Sequence, residues 1–118
     1  QKSVQSATDK ALTWLSKAQD SKGGYASWGT TNVESAAQVV VALCELGIAP
    51  DDARFTKNGH TLQEVLLRFA CDDGSFRHVL SDRNGDLMAT EQCMYALAAV
   101  SRIERGESSL YRMQTETP

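Results

Sequence analysis

With 118 residues, 42% of them hydrophobic and 23% charged, the chain is long enough for one globular core and has the composition of an ordinary soluble protein. Its net charge of −3, with Lys and Arg scattered along the chain, offers no electrostatic footprint for nucleic acid. No apolar run approaches the roughly 18 residues of a membrane span, Val39–Cys44 for instance being far too short.

Helix signals dominate. The first helix is predicted over Ser6–Gln19, with Ala7, Ala11, Trp14, Leu15 and Ala18 forming one apolar stripe and Lys10, Thr13 and Lys17 on the wet side. Gly23-Gly24 should end it, supplying the positive φ that a reversal needs. In the loop that follows, Tyr25 and Trp28 are expected to fold back as aromatic plugs. Thr31-Asn32-Val33-Glu34 reads as a capping box that opens a second helix running to Leu46, with Gly47 as its stop. This helix has hardly any polar face beyond its first turn, so burial on most sides is expected.

Asp51–Phe55 suggests a short helical turn, and Asn58-Gly59 a tight one. Thr61-Leu62-Gln63-Glu64 is a second capping box, opening a helix through Ala70 that turns Leu62, Val65, Leu66 and Phe69 inward. Asp72-Asp73-Gly74-Ser75 repeats the earlier turn, followed by Phe76 and a longer loop, Arg77–Gly85. A last helix is predicted from about Asp86 to Ile103, again with little polar face after Gln92. Ser108–Met113 reads as the start of a further helix, and Gln114–Pro118 as a polar tail or linker. Because the chain opens on Gln1 with no signal peptide before it, it is expected to be a segment of something longer.

The chain repeats itself. Ala11–Tyr25 is echoed by Leu62–Phe76, with Leu15 falling on Leu66, Gly23 on Gly74 and Tyr25 on Phe76. In the Ala-rich stretches that follow, Gln38 falls on Gln92, Ala42 on Ala96 and Leu43 on Leu97. A unit of roughly 50 residues with two helices implies hairpins that must stack to bury their apolar faces. The domain is therefore read as 1–113, with repeats at about 6–47 and 61–103 and a third beginning at about 108–113. Incomplete repeats should expose apolar surface and promote self-association.

Few residues suggest chemistry. Gln38 and Gln92, with Glu34, Thr90 and Glu91 nearby, could face a cavity and bind a polar ligand; the plainer reading has both glutamines bonding the backbone of the preceding glycine loop. Tyr25, Trp28 and Phe76 could stack on a planar or sugar ligand, or simply anchor their loops. His78 could pair with Asp82 or Asp86 as an acid–base unit or be an ordinary loop histidine. Asp82–Asp86 has a calcium-loop composition without the EF-hand ligand spacing, which favours a turn. Cys44, Cys71 and Cys93 have no metal spacing and, being odd in number, cannot all pair within the chain; they read as small buried hydrophobes, Cys71 being the best placed for reactivity.

The alternation of amphipathic and apolar helices, with Gly-Gly-Tyr and Asp-Gly-Ser-Phe turns, resembles the repeats of the prenyltransferase and squalene oxidase/cyclase superfamily. Phe55–Gly59, Asp73–Phe76, Met88–Leu97 and Ser109–Tyr111 narrow the likeness to non-catalytic repeats in surface proteins of Gram-positive bacteria, which are similar to part of the cobalamin carriers intrinsic factor and transcobalamin. The resemblance implies an all-α fold of tandem helical hairpins forming part of an α/α toroid. It further implies a non-enzymatic binding or scaffolding module of a secreted or surface-anchored protein, with a protein or small-molecule partner.

An isoprenoid cyclase or prenyltransferase fragment and a cobalamin-type carrier are the alternatives. The cyclases' Asp-x-Asp-Asp acid is missing, since Asp51-Asp52 and Asp72-Asp73 sit in turns. Cys93 has no convincing Asp and His partners for a transferase zinc, and Glu91-Gln92-Cys93 has the wrong order for a thioester. No catalytic residue, metal or cofactor is assigned. The candidate ligand-binding residues are Tyr25, Trp28, Glu34, Gln38, Phe76, Glu91 and Gln92.

Overall fold

A computed structural model describes residues 2–106, so the third repeat read at 108–113 and the tail at 114–118 lie outside the described residues. Four α-helices, α1 (Lys2–Ala18), α2 (Val33–Glu45), α3 (Leu62–Arg68) and α4 (Leu87–Glu104), are joined by a 3₁₀ turn at Ala53–Phe55 and a short β-ribbon. The ribbon pairs β1 (Ala26–Ser27) with β2 (Thr30–Thr31) antiparallel, Ala26 opposite Thr31 and Ser27 opposite Thr30.

This architecture corrects the expected one. It is mixed, not an all-α toroid of tandem hairpins. The principal helix contacts are α2 on α4 and α2 on α3, not α1 on α2 and α3 on α4. The two helices of each predicted hairpin therefore do not form the packing unit. The ribbon was missed because Ala, Ser and Thr carry little strand signal together. Its two-residue turn places Trp28 and Gly29 at φ 55 and φ 80, a conformation that matches strand twist but is unusual for a bulky residue.

The helix starts follow from their caps. Asn32 Oδ1 accepts the Ser35 N–H at 3.0 Å, Thr61 Oγ1 the Glu64 N–H at 3.2 Å, and Asp86 Oδ2 the Ala89 N–H at 2.9 Å. The second predicted capping box forms by half, through Thr61, and the first does not form. Asn32 replaces Thr31 as the first cap, and Glu34 turns to His78 instead of back to its helix. Glu64 binds His60 and Arg68, at 2.6 and 2.8 Å. A carboxylate with a cationic partner in reach gains more there than from a second backbone amide.

The two turns share one geometry. Asp20 N–H donates to Gly24 O at 2.9 Å and Gly23 N–H to Asp20 O at 3.0 Å; Cys71 N–H donates to Ser75 O at 2.8 Å and Gly74 N–H to Cys71 O at 3.1 Å. Gly23 and Gly74 sit at φ 89 and φ 92, where a side chain would be strained. Tyr25 and Phe76, just beyond, are both buried.

The core lies between α2, α3 and α4. Val33, Ala36, Val40 and Leu43 of α2 meet Leu62, Val65 and Leu66 of α3. Ala89, Cys93, Ala96 and Val100 form a stripe of mostly small residues along α4 that lets α2 approach closely. The two helices run in the same direction, since Glu34 lies within electrostatic reach of Cys93 and Cys44 within reach of Glu104. α4 is not covered on as many sides as its composition suggested: Leu87, Met88 and Met94 remain exposed.

The first helix departs furthest from its predicted face. Trp14 is 68% exposed, and Ala7, Ala11 and Ala18 also face water. The inward face is displaced by one residue, to Thr8, Leu12, Leu15, Ser16 and Gln19. Polar anchoring explains the rotation. Ser16 Oγ donates to Arg54 O at 2.5 Å, Lys57 Nζ to Ser16 Oγ at 3.0 Å, and Gln19 Nε2 to Gly23 O and Phe55 O at 2.8 and 2.7 Å.

Candidate functional site

Parallel packing brings matching positions of α2 and α4 side by side. Ala37, Gln38 and Val41 face Gln92 and Tyr95 across an open groove of about 220 Å³. Its floor is apolar and its edges carry two carboxamides and a phenol. Gln92 Oε1 is covered by protein and has no hydrogen-bond partner, whereas Gln38 is exposed. Neither glutamine therefore bonds the preceding glycine loop as expected. That task falls to Gln19, which sequence reasoning passed over although it stands directly before the first turn.

The other candidates separate. Tyr25 and Phe76 are core residues, not ligand platforms. The Tyr25 hydroxyl donates to Leu15 O at 2.8 Å, and burial, aided by the charge of Asp20, pushes its pKa up to about 12. Phe76 packs inward while its N–H donates to Thr90 Oγ1 at 2.9 Å. Trp28 does not plug the loop: at the tip of the ribbon it is fully solvent-exposed. Glu34 lies in the first turn of α2, whereas Glu91 stands just past the first turn of α4 and is exposed. Tyr95 was the missed member of the groove; it stands one turn beyond Gln92, as Val41 does beyond Gln38.

At the N-terminal end of the pair, His78 Nδ1 lies 2.8 Å from both carboxylate oxygens of Glu34. His78 thus pairs with neither Asp82 nor Asp86, the partners the sequence offered beside the reading of an ordinary loop histidine. Asp82 instead closes its own turn, Oδ2 accepting the Val79 N–H at 3.3 Å, and Asp86 caps α4. Cys93 beneath is fully buried, and burial, with the nearby charge of Glu34, pushes its thiol up to about 12. Cys44 is likewise buried and pushed up to about 11, burial again leading and Glu104 adding to it. Both are unreactive thiols at neutral pH. Cys71 is half-buried.

Among the described residues, no group of three or more His, Cys, Asp or Glu is placed to hold a metal ion, and no helix is long and apolar enough to cross a membrane. A roomier cleft of about 450 Å³ lies between α1 and the 46–54 segment, lined by Val4, Thr8, Leu12, Ile48 and Arg54 among others. It is a gap beneath the start of a loosely packed helix and gathers no chemistry. Comparison of the chain with protein-family models, with curated proteins and with solved structures found no match.

Proposed function

We propose that this chain is a non-enzymatic binding module of a secreted or surface-anchored bacterial protein, and that it receives its partner in the groove between α2 and α4. The observation that carries the reading is the pairing of an apolar floor, Ala37 and Val41, with polar groups from Gln38, Gln92 and Tyr95 at its edge. Ligand sites have that composition: apolar area for affinity, a few polar groups for orientation. At about 220 Å³ the groove is smaller than a typical drug-sized site and suits one ring or one inserted side chain. Placement outside the cell is supported by the likeness of Phe55–Gly59, Asp73–Phe76 and Met88–Leu97 to surface repeats.

Titration with p-cresol, a single ring with one hydroxyl, tests the groove by NMR. The amides of Ala37, Gln38, Val41, Gln92 and Tyr95 should shift first, and Val41→Glu should abolish the response. Shifts scattered over the whole surface, or an unaltered response in Val41→Glu, would refute the assignment.

A second reading, self-association, is favoured by the exposed Leu87, Met88 and Met94 on the outer side of α4. Light scattering over rising concentration distinguishes it: a constant monomer mass excludes it.

A further inference from the structure

The loop over residues 77–85 is fixed at its base. Phe76 N–H donates to Thr90 Oγ1 at 2.9 Å and Asp86 N–H to Phe76 O at 2.8 Å. Gly85 passes so close to Ser75 that a Cβ there would stand 1.9 Å from the Ser75 hydroxyl oxygen. Arg77 turns toward the end of α3, its N–H donating to Phe69 O at 2.8 Å and Nη1 to Ala70 O at 3.1 Å. His78 is the residue that crosses to α2. Its carbonyl accepts the Val33 N–H at 3.0 Å, while its ring meets Glu34 at 2.8 Å. Val33 opens α2, so this amide has no acceptor within its own helix and the loop supplies one.

We propose that the His78–Glu34 pair is a pH-released clasp holding the 77–85 loop against the N-terminal end of α2. The charged groups facing the ring are Glu34 on α2, Asp82 within the loop and Asp86 at the start of α4, all carboxylates. The neighbouring cation, Arg77, is engaged with the carbonyl of Ala70. Cys93, packed beneath Glu34 from α4, stays a neutral thiol and does not compete for the proton. The clasp does not depend on what occupies the groove.

The direction follows from the charges. The hydrogen bond to Glu34 raises the His78 pKa above its ordinary value; slight burial opposes this, and the charges of Glu34, Asp82 and Asp86 add to it. A histidine with a raised folded-state pKa contributes its full stabilisation below the ordinary value of about 6.5 and loses it as pH rises through the folded-state value. Above that point the neutral ring still donates one N–H, so the loop loosens without detaching. The His78 side chain is 50% exposed, which limits the effect to that of a surface pair, roughly a two- to fivefold change in loop opening.

Ring-proton NMR of the whole chain should show His78 titrating above about 6.5 and moving back toward that value in Glu34→Gln. Exchange of the Val33 amide, corrected for its intrinsic pH dependence, should quicken roughly two- to fivefold across the His78 titration. In His78→Asn, which keeps the backbone carbonyl, that step should vanish. A His78 midpoint indifferent to Glu34→Gln, or an equal step in His78→Asn, overturns the clasp. Should either variant fail to fold, the natural chain alone decides, because absence of any step at Val33 across the His78 titration is equally fatal.

Discussion

The helices α1 and α2 have similarly suggestive apolar patterns, yet they are held in the molecule by different forces. Seven residues of α2 are buried, and its position is set by shape, against the small stripe of α4 on one side and α3 on the other. Among the described side chains of α1 only Leu12 is buried, and the helix is positioned by Ser16 and, just past its end, Gln19, hydrogen-bonded to carbonyls of the 20–24 turn and the 53–57 segment. Non-directional burial tolerates small displacements, whereas hydrogen bonds have narrow geometry and fix a helix's rotation. A weakly buried helix is therefore oriented by its polar residues, and its apolar stripe is a poor guide to the face it turns inward.

Truncation on the buried face of α2, in its last turn, should give the largest effect. Leu43 is fully buried, so Leu43→Ala should cost about 2–5 kcal/mol through lost burial and the cavity left behind, read as a lower urea midpoint. Loss of less than about 1 kcal/mol would mean α2 is not the centre of the core. Next in size comes Gln19→Met, which keeps the side chain's bulk but removes the donor serving Gly23 O and Phe55 O. About 1–3 kcal/mol is expected, with faster amide exchange concentrated in α1 and the 53–57 segment. If exchange quickened equally in α2, the two helices would be one cooperative unit and the contrast between them would fall.

What could be seen in the sequence was local. Gly23 and Gly74 mark two turns whose hydrogen bonds correspond one for one, and Thr61 and Gly47 bound their helices because caps and stops need only neighbouring residues. The equivalence of Gln38 and Gln92 was also legible in the repeated spacing, but their meeting on one groove depends on the packing of α2 against α4. What could not be seen was which helices touch. Residues 33–46 and 87–103 are apolar on several sides, so several packings satisfy them, and the small side chains of Ala89, Cys93 and Ala96 decide among these only once a partner is present. Glu34 looked like half of a capping box, and nothing nearby in the chain shows that His78 arrives opposite it. Trp28 looked like an anchor because it is large and apolar, but the ribbon turn that carries it points away from the core.

Trp14 provides the smallest expected effect and the sharpest discrimination. By sequence it is the largest member of the first helix's apolar stripe, and a tryptophan truncated in a core costs about 3–5 kcal/mol. In the structure it is 68% exposed, on the side of α1 away from the anchoring residues Ser16 and Gln19. Trp14→Ala should therefore change stability by no more than about 0.5 kcal/mol, since alanine's better helix propensity offsets the modest area lost. Tryptophan fluorescence offers a second reading: Trp14 and Trp28 are the chain's two indoles and both face water, so emission should already be red-shifted in the native state and move little on unfolding. A strongly blue-shifted native emission that disappears in Trp14→Ala, together with a loss of several kcal/mol, would restore the stripe as the true inner face. In that event α1 would be held by burial as α2 is, and the hydrogen bonds of Gln19 would follow from its position instead of setting it.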